Sequence, residues 1–484
     1  MARLLTLLLV LYGITPSPAF AAPPETVAVC DRIPATYLDP PDGAVIVEPV
    51  DNDLQAKTAA NEPGTTFWLR SGTHTLGTDQ FGQVMPKEGN VYLGAPGAVL
   101  DGRSVNRFAF TGQAADVTIR NLTVQGFVAP RDQGVVNHDS GNGWVIENNT
   151  IQRNKGAGLM AGARQVVRGN CLRDNGQYGM NAYQAGDGIT DLLVEGNEIV
   201  GNNKDNWESV VAGCGCSGGA KFWAVNGADI RGNWVHHNHG AGLWADTNNN
   251  DFLVEDNLIE HNEAEGLFYE ISYNLVVRGN VFRQNTIVQG KRFADRGDNF
   301  PVGSVYISES GGEPRIPART DQLLITDNTF DNNWSGITLW ENADRFCNSP
   351  ANTSTGYCTL LVPDRAACTQ PGIASEPLAT DCRWRTQRVT IENNEFRFDP
   401  AAIGCVRFCG RMAVLANYGT FPDWSPYMAH QIQDSITFNQ DNRWSSNTYV
   451  GPWQFTPYET SRTVGAAVWQ SAPYGQDTGS TFAR

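Results

Sequence analysis

The sequence predicts an all-β fold, a parallel β-helix solenoid of short strands wound in coils of about 21 to 28 residues. Three observations carry this. A phrase of the form apolar-x-apolar-x-x-Asn-x-apolar recurs, as VTIRNLTV from 117, WVIENNTI from 144, LLVEGNEI from 192, FLVEDNLI from 252, LLITDNTF from 323 and VTIENNEF from 389. Apolar residues alternate within each phrase, the period of a strand with one side inside. The composition, with 50 Gly in 484 residues and abundant Asn, suits a turn-rich β protein.

The elements follow in order. Arg3 precedes a Leu-rich run that breaks at Gly13, Pro16 and Pro18 and ends in Ala19-Phe20-Ala21, the pattern of a cleaved leader. A signal peptide is therefore expected over 1–21, with a secreted or periplasmic destination. No later stretch approaches the ~20 apolar residues of a spanning helix, so no membrane span is expected. Residues 22–65 read as an N-terminal segment carrying a short capping helix from Asp53 to Ala60. The first strands are expected at Thr66–Leu69 and Val91–Leu93. The solenoid is expected over 66–450, with a Cys-rich loop excursion near 341–388. Residues 451–484, with Trp453, Phe455, Tyr458 and Trp469, read as an aromatic-rich C-terminal cap that closes strand edges an open end would expose.

The marker asparagines fall at 121, 149, 170, 197, 233, 257, 280, 328 and 394, with intervals of 28, 21, 27, 36, 24, 23, 48 and 66. Most intervals are one coil; 48 reads as two, and 66 contains the Cys-rich excursion. One buried Asn per coil can hydrogen-bond the next at the ~4.8 Å strand spacing. Gly158, Gly179, Gly242, Gly266 and Gly336 are read as turn residues. The 10 cysteines suit an oxidising compartment. Cys347, Cys358, Cys368 and Cys382 predict two disulfides in the excursion, with the pairing left open. Cys214/Cys216 and Cys405/Cys409 are close pairs without zinc-site partners.

Loss of the leader moves the net charge from −16 to −17. That balance argues against nucleic acid and anionic membranes as partners, and favours a neutral over an anionic glycan. Nothing in the sequence sets an oligomeric state.

The Asn-marked coils and the segment GAPGAVLDG at 94–102 resemble the pectate-lyase-like and NosD-like superfamily of right-handed parallel β-helices. The resemblance covers most of residues 44–450 and supplies the hand. It implies polysaccharide lyases, hydrolases, epimerases or non-enzymatic surface proteins, and so fixes fold more than function. The segment GAKFWAVNGADIRGNWVHHNHGAGLWAD is similar to a stretch that recurs in secreted β-helix proteins, without a catalytic assignment.

Aligning the glycines that open the second strand of each coil aligns the positions after them. Two outward columns result: Met160, Asn181, Lys221, Trp244 and Phe268, and Gly162, Tyr183, Trp223, Asp246 and Glu270. Lys221, Asp246 and Glu270 are the candidate catalytic residues, one coil apart. Trp223, Trp244 and Phe268 offer ring faces to sugars, with His236 and His239 on the preceding turn as further binding candidates. Three chemistries are compatible. Asp246 and Glu270 could be the close carboxyl pair of a retaining glycosidase. They could hold Ca²⁺ against a uronate while Lys221 removes a proton, as in calcium-dependent lyases of similar fold. The face could also bind a glycan without turning it over. Lys beside Asp and Glu on a solenoid is commonly a solvated salt-bridge ladder; the interleaved Trp residues favour a groove.

Overall fold

The computed structural model describes residues 28–32, 39–183, 188–351, 358–417, 421–428 and 430–483. The leader expected over 1–21 lies outside the described residues. Three parallel sheets of 13, 13 and 10 strands form a right-handed parallel β-helix, the hand that parallel crossovers take between right-twisted strands. One coil illustrates the rule. Val166–Arg168 lies in the first sheet, Cys171–Arg173 in the second and Met180–Ala182 in the third. The next coil pairs with it in register, Val167 with Val194, Leu172 with Ile199 and Met180 with Ala220. The inward alternates Val167, Leu172 and Met180 are fully buried.

The helix forms at Leu54–Ala60 and buries Leu54 and Thr58 against the N-terminal end. A strand at Val45–Val47 precedes it and pairs with Thr66–Leu69, so the strands begin before residue 66. At the other end Gln454–Tyr458 and Thr481–Ala483 extend the third and second sheets beyond residue 450. The rings of Trp444, Phe455 and Trp469 pack there, with centroids 5.3 and 5.0 Å apart.

The corners between sheets carry amide ladders. From Asn149 through Asn170, Asn197, Asn233, Asn257, Asn280, Asn328 and Asn394 to Asn447, each Nδ2 donates to the next Oδ1 at 2.9–3.2 Å. Asn121 is not a member. Thr123 pairs with Thr150, so Leu122 stands opposite Asn149 and donates its N–H to Oδ1. The doublet Asn148-Asn149 explains the one-residue slip in the alignment. A second ladder, Asn154, Asn175, Asn202, Asn238, Asn262, Asn285 and Asn333, runs along the other edge of the second sheet. It lies five residues beyond the first, and the single-Asn alignment passed over it.

Two other expectations change. The interval of 48 is one enlarged coil rather than two, because Leu275 pairs directly with Leu323 and Val281 with Thr329. Its extra length includes a helix at Ile287–Asp295. The glycines after the ladder do not turn the chain, since none of Gly158, Gly179, Gly242, Gly266 or Gly336 has positive φ. They are small because coils approach closely there: a Cβ on Gly242 would lie 2.7 Å from the Gly266 carbonyl oxygen and 2.9 Å from Asn262 Nδ2.

Disulfides join Cys347 to Cys358 and Cys368 to Cys382 within the excursion, and Cys214 to Cys216 and Cys405 to Cys409 locally. Cys30 pairs with Cys171 across 141 residues, tying the N-terminal segment to the second sheet. No helix among the described residues is long and apolar enough to cross a membrane.

Candidate functional site

The third sheet carries the columns in register. Asn181, Lys221, Trp244, Phe268, Tyr306 and Thr338 form one row. Trp223, Asp246, Glu270, Ser308 and Trp340 form the second. Alternation points both rows away from the core. They do not meet open water, however: Lys221 and Glu270 are each only 8 % exposed. Two insertions cover them. The 201–218 loop places the Gly215 carbonyl on Lys221 Nζ. The Cys-rich excursion places Arg345 on Glu270, and Asn248 holds that excursion down through Trp384 Nε1 at 2.8 Å.

Each charge in the rows has a partner. Lys221 Nζ pairs with Asp246 Oδ2 at 3.0 Å, and Asp246 Oδ1 accepts from Thr247 Oγ1 at 2.9 Å. Glu270 accepts from Trp244 Nε1 at 3.1 Å and from Arg345. The same guanidinium reaches Glu309 Oε2 at 3.4 Å, while Glu309 Oε1 accepts the Asn342 N–H at 2.9 Å. One cation thus serves two buried carboxyls. Burial, with Asp246 and Glu309 nearby, holds Glu270 above the usual carboxylate range against the pull of Arg345. Burial does the same to Glu309. Burial thus makes both carboxyls hold a proton more tightly than a surface Glu does.

The rings depart from expectation. Lys221 sits 4.0 Å from the Trp244 ring centre, and Phe268 stacks on Trp244 at 5.0 Å. Tyr306 then stacks on Phe268 at 4.7 Å. In-register stacking along the solenoid axis therefore uses both faces of Trp244 and Phe268, leaving their edges rather than their faces for a sugar. Trp223 differs. It meets Tyr183 edge-on, centroids 5.8 Å apart. Together with Lys221, Asn181, Tyr178 and Asp132 these two line a slot of about 260 Å³.

His236 and His239 do not join these rows. His236 ends a second-sheet strand and stacks on Trp234 at 3.9 Å. Its Nε2 lies 3.2 Å from Glu198 Oε1, whose other oxygen accepts the Val29 and Cys30 N–H groups. His239 Nδ1 lies 2.9 Å from Glu263 Oε1. These contacts pin the N-terminal segment and the following turn.

A calcium site does not fit here. The ion takes 6–8 oxygens in ordinary sites, whereas Asp246 and Glu270 already face Lys221 and Arg345. Among the described residues, the sulfurs of Cys347, Cys358 and Cys368 are the one group close enough to share a metal, and all three are in disulfides.

At the far end of the face a larger cleft of about 580 Å³ opens, walled by Phe300, Tyr306 and Trp340 and reached by Glu265, Gln289 and Asn417. The helix Ile287–Asp295 of the enlarged coil supplies Gln289 and Phe293 to it. Glu265 is 7 % exposed, and burial pushes its carboxyl up to about 7. Sequence reasoning missed it. A signal existed: just before the strand-opening glycine, other coils carry Ala157, Gly218, Ala241 or Ser335, and this coil alone among them has an acid.

Residues 133–353 match the family described as right handed beta helix region. No curated protein matches the chain. Among solved structures, the A-module of a mannuronan C-5 epimerase from Azotobacter vinelandii is 14% identical, with 73% of this chain and 93% of that one covered at a TM-score of 0.38. The catalytic unit of an α-1,3-glucanase from Streptomyces thermodiastaticus is 15% identical, covering 87% and 68% at 0.46. A periplasmic alginate epimerase is 12% identical, covering 86% and 82% at 0.42. All three are named as enzymes of polysaccharides, and the likeness is one of fold alone.

Proposed function

We propose that this protein is an exported glycoside hydrolase that holds a neutral polysaccharide on the outer face of the third sheet. The observation that carries this is the pairing of two differently poised carboxyls beside a sugar-sized slot. Asp246 is ion-paired to Lys221, while one register step away buried Glu270, held above the usual carboxylate range, shares Arg345 with Glu309. Environments that set two carboxyls apart in this way assign acid and base roles. Asp246 and Glu270 are register partners on adjacent strands, so their carboxyls project from neighbouring positions of one row, as the close pair of a retaining enzyme requires.

In that reaction a sugar ring rests against Trp223 and Tyr183 in the slot. The Asp246 carboxylate attacks the anomeric carbon as the glycosidic C–O bond breaks, and Glu270 delivers its proton to the leaving oxygen. Glu270 then takes a proton from water, whose oxygen displaces Asp246 from the anomeric carbon, and both groups return to their first state. Lys221 holds Asp246 in place through their ion pair and is itself held by the Gly215 carbonyl. No step runs through calcium. The disulfides suit an oxidising location outside the cytoplasm.

A second reading has its own observation: a ladder in which Lys221 meets Asp246, and Arg345 meets Glu270 and Glu309, is also what braces two insertions against a non-catalytic glycan-binding solenoid. Activity on a panel of neutral and uronate polysaccharides separates them, with reducing ends and unsaturated uronates measured in parallel. New reducing ends without unsaturated uronates are expected, and Glu270→Gln is expected to lower kcat roughly 10²–10⁴-fold. Full activity in Glu270→Gln would place the chemistry elsewhere. Glycan retention without turnover, lost in Trp223→Ala, would establish the binding reading.

A further inference from the structure

We infer that the cleft walled by Tyr306, Phe300 and Trp340 is a second glycan subsite, which takes a neutral sugar ring of the same chain and hydrogen-bonds it through Glu265. The inference rests on the glycan reading above and adds a length requirement to it. Three features of the cleft support it.

First, Trp340 differs from Trp244 in what stands beside it. Trp340 is in register with Ser308, a small residue, on the preceding coil. Its ring contacts are edge-on to Phe300 and tilted to Tyr306, each at 6.3 Å. A ring flanked this way keeps apolar surface for a sugar. Second, the polar groups are of the kind sugars use. Glu265 is almost fully buried, Gln289 Oε1 is buried without a partner, and Asn299, Asn417 and Gln433 complete the lining. A hydroxyl-rich ring would supply the donor that Gln289 Oε1 lacks. Third, the spacing is right for one chain. Trp223 and Trp340 lie in the same row with Asp246, Glu270 and Ser308 between them. Four steps at ~4.8 Å put them about 19 Å apart, the span of a short oligosaccharide that crosses the carboxyl pair on its way.

The charges facing the cleft also select the ligand. Glu265 is joined there by Asp298, Glu459 and the single cation Arg296, with Glu270 behind it. A uronate would meet net negative charge, whereas a neutral sugar would accept a hydrogen bond from the protonated Glu265 carboxyl. Ionisation of that carboxyl, as pH rises through about 7, turns it from donor to acceptor only.

The test is calorimetric titration of the full chain carrying Asp246→Asn, which blocks turnover, with neutral gluco- and manno-oligosaccharides from dimer to hexamer. Affinity is expected to step up roughly tenfold when the oligosaccharide becomes long enough to bridge both subsites. Trp340→Ala and Glu265→Ala should each remove that step and leave dimer binding, which depends on Trp223, unchanged. Trp340→Phe should restore most of it, which separates ring contact from folding. Tight hexamer binding unaltered in Trp340→Ala, with dimer binding intact, overturns this inference alone. Loss of every interaction with neutral glycans, in the Trp223 slot as well as in the cleft, overturns the glycan reading beneath it.

Discussion

The asparagine ladders and the outer rows of the third sheet use one device, residues stacked in register at each strand step, and differ in what they stack. An amide carries both donor and acceptor, so Asn257 accepts from Asn233 and donates to Asn280 and the Ile230 carbonyl, leaving nothing unsatisfied. Such a ladder is self-complementary and the same residue can repeat coil after coil. The outer rows cannot work this way. Lys221, Trp244, Phe268 and Tyr306 succeed one another because like charges would repel and each neighbour must complement a different partner. Repetition of one residue marks a position solved by architecture. Change from coil to coil marks a position where something other than stacking sets the choice.

The comparison breaks most sharply at the ladder. Asn257→Leu strands the Asn233 side chain and backbone N–H and the Ile230 carbonyl in the core, and is expected to cost about 3–5 kcal/mol. A fall in the urea midpoint with unchanged slope would register it. Next in size is Glu265→Gln. Its folded carboxyl titrates at about 7, above the unfolded value of roughly 4.3. The folded state therefore holds the proton more tightly, and stability is fully present below the unfolded value and lost as pH rises toward 7. Gln does not titrate, so the variant gains on the parent by about 3 kcal/mol between pH 4 and pH 8, seen as crossing denaturation midpoints. The smallest effect sharpens the register. Asn121 lies outside the ladder, with both side-chain polar atoms buried and unpartnered and φ near 60°. Asn121→Gly should change stability by no more than roughly 0.5 kcal/mol, while Asn149→Gly should behave like the Asn257 variant.

Legibility followed the same line. The coils were readable because alternation and the Asn at one corner repeat, and repeats align themselves. The misreadings arose where length or a doublet stood in for pairing: Asn121 for Leu122, and 48 residues for two coils. The rows were readable as far as register, which placed Asp246 over Glu270. What covers them was not, because the loop at 201–218 and the excursion carrying Arg345 have no internal repeat. Their positions depend on contacts such as Trp384 to Asn248, 136 residues apart. Ring faces were lost for a related reason, since only the stacking geometry tells whether Trp244 offers a face or an edge.

The bond between Cys30 and Cys171 bears on how such a molecule comes apart. In a stack where each coil touches only its neighbours, an end can fray one turn at a time. Here the first six strands of the first sheet lie inside a covalent loop. Glu198 grips Val29 and Cys30 on the coil after the bond. Whatever opens inside that loop stays tethered at both ends, so an unwound N-terminal turn has less freedom to gain than a free end would have. The protein behaves less like a spring unwinding from its tip than like a rope whose free end has been spliced back into its own lay.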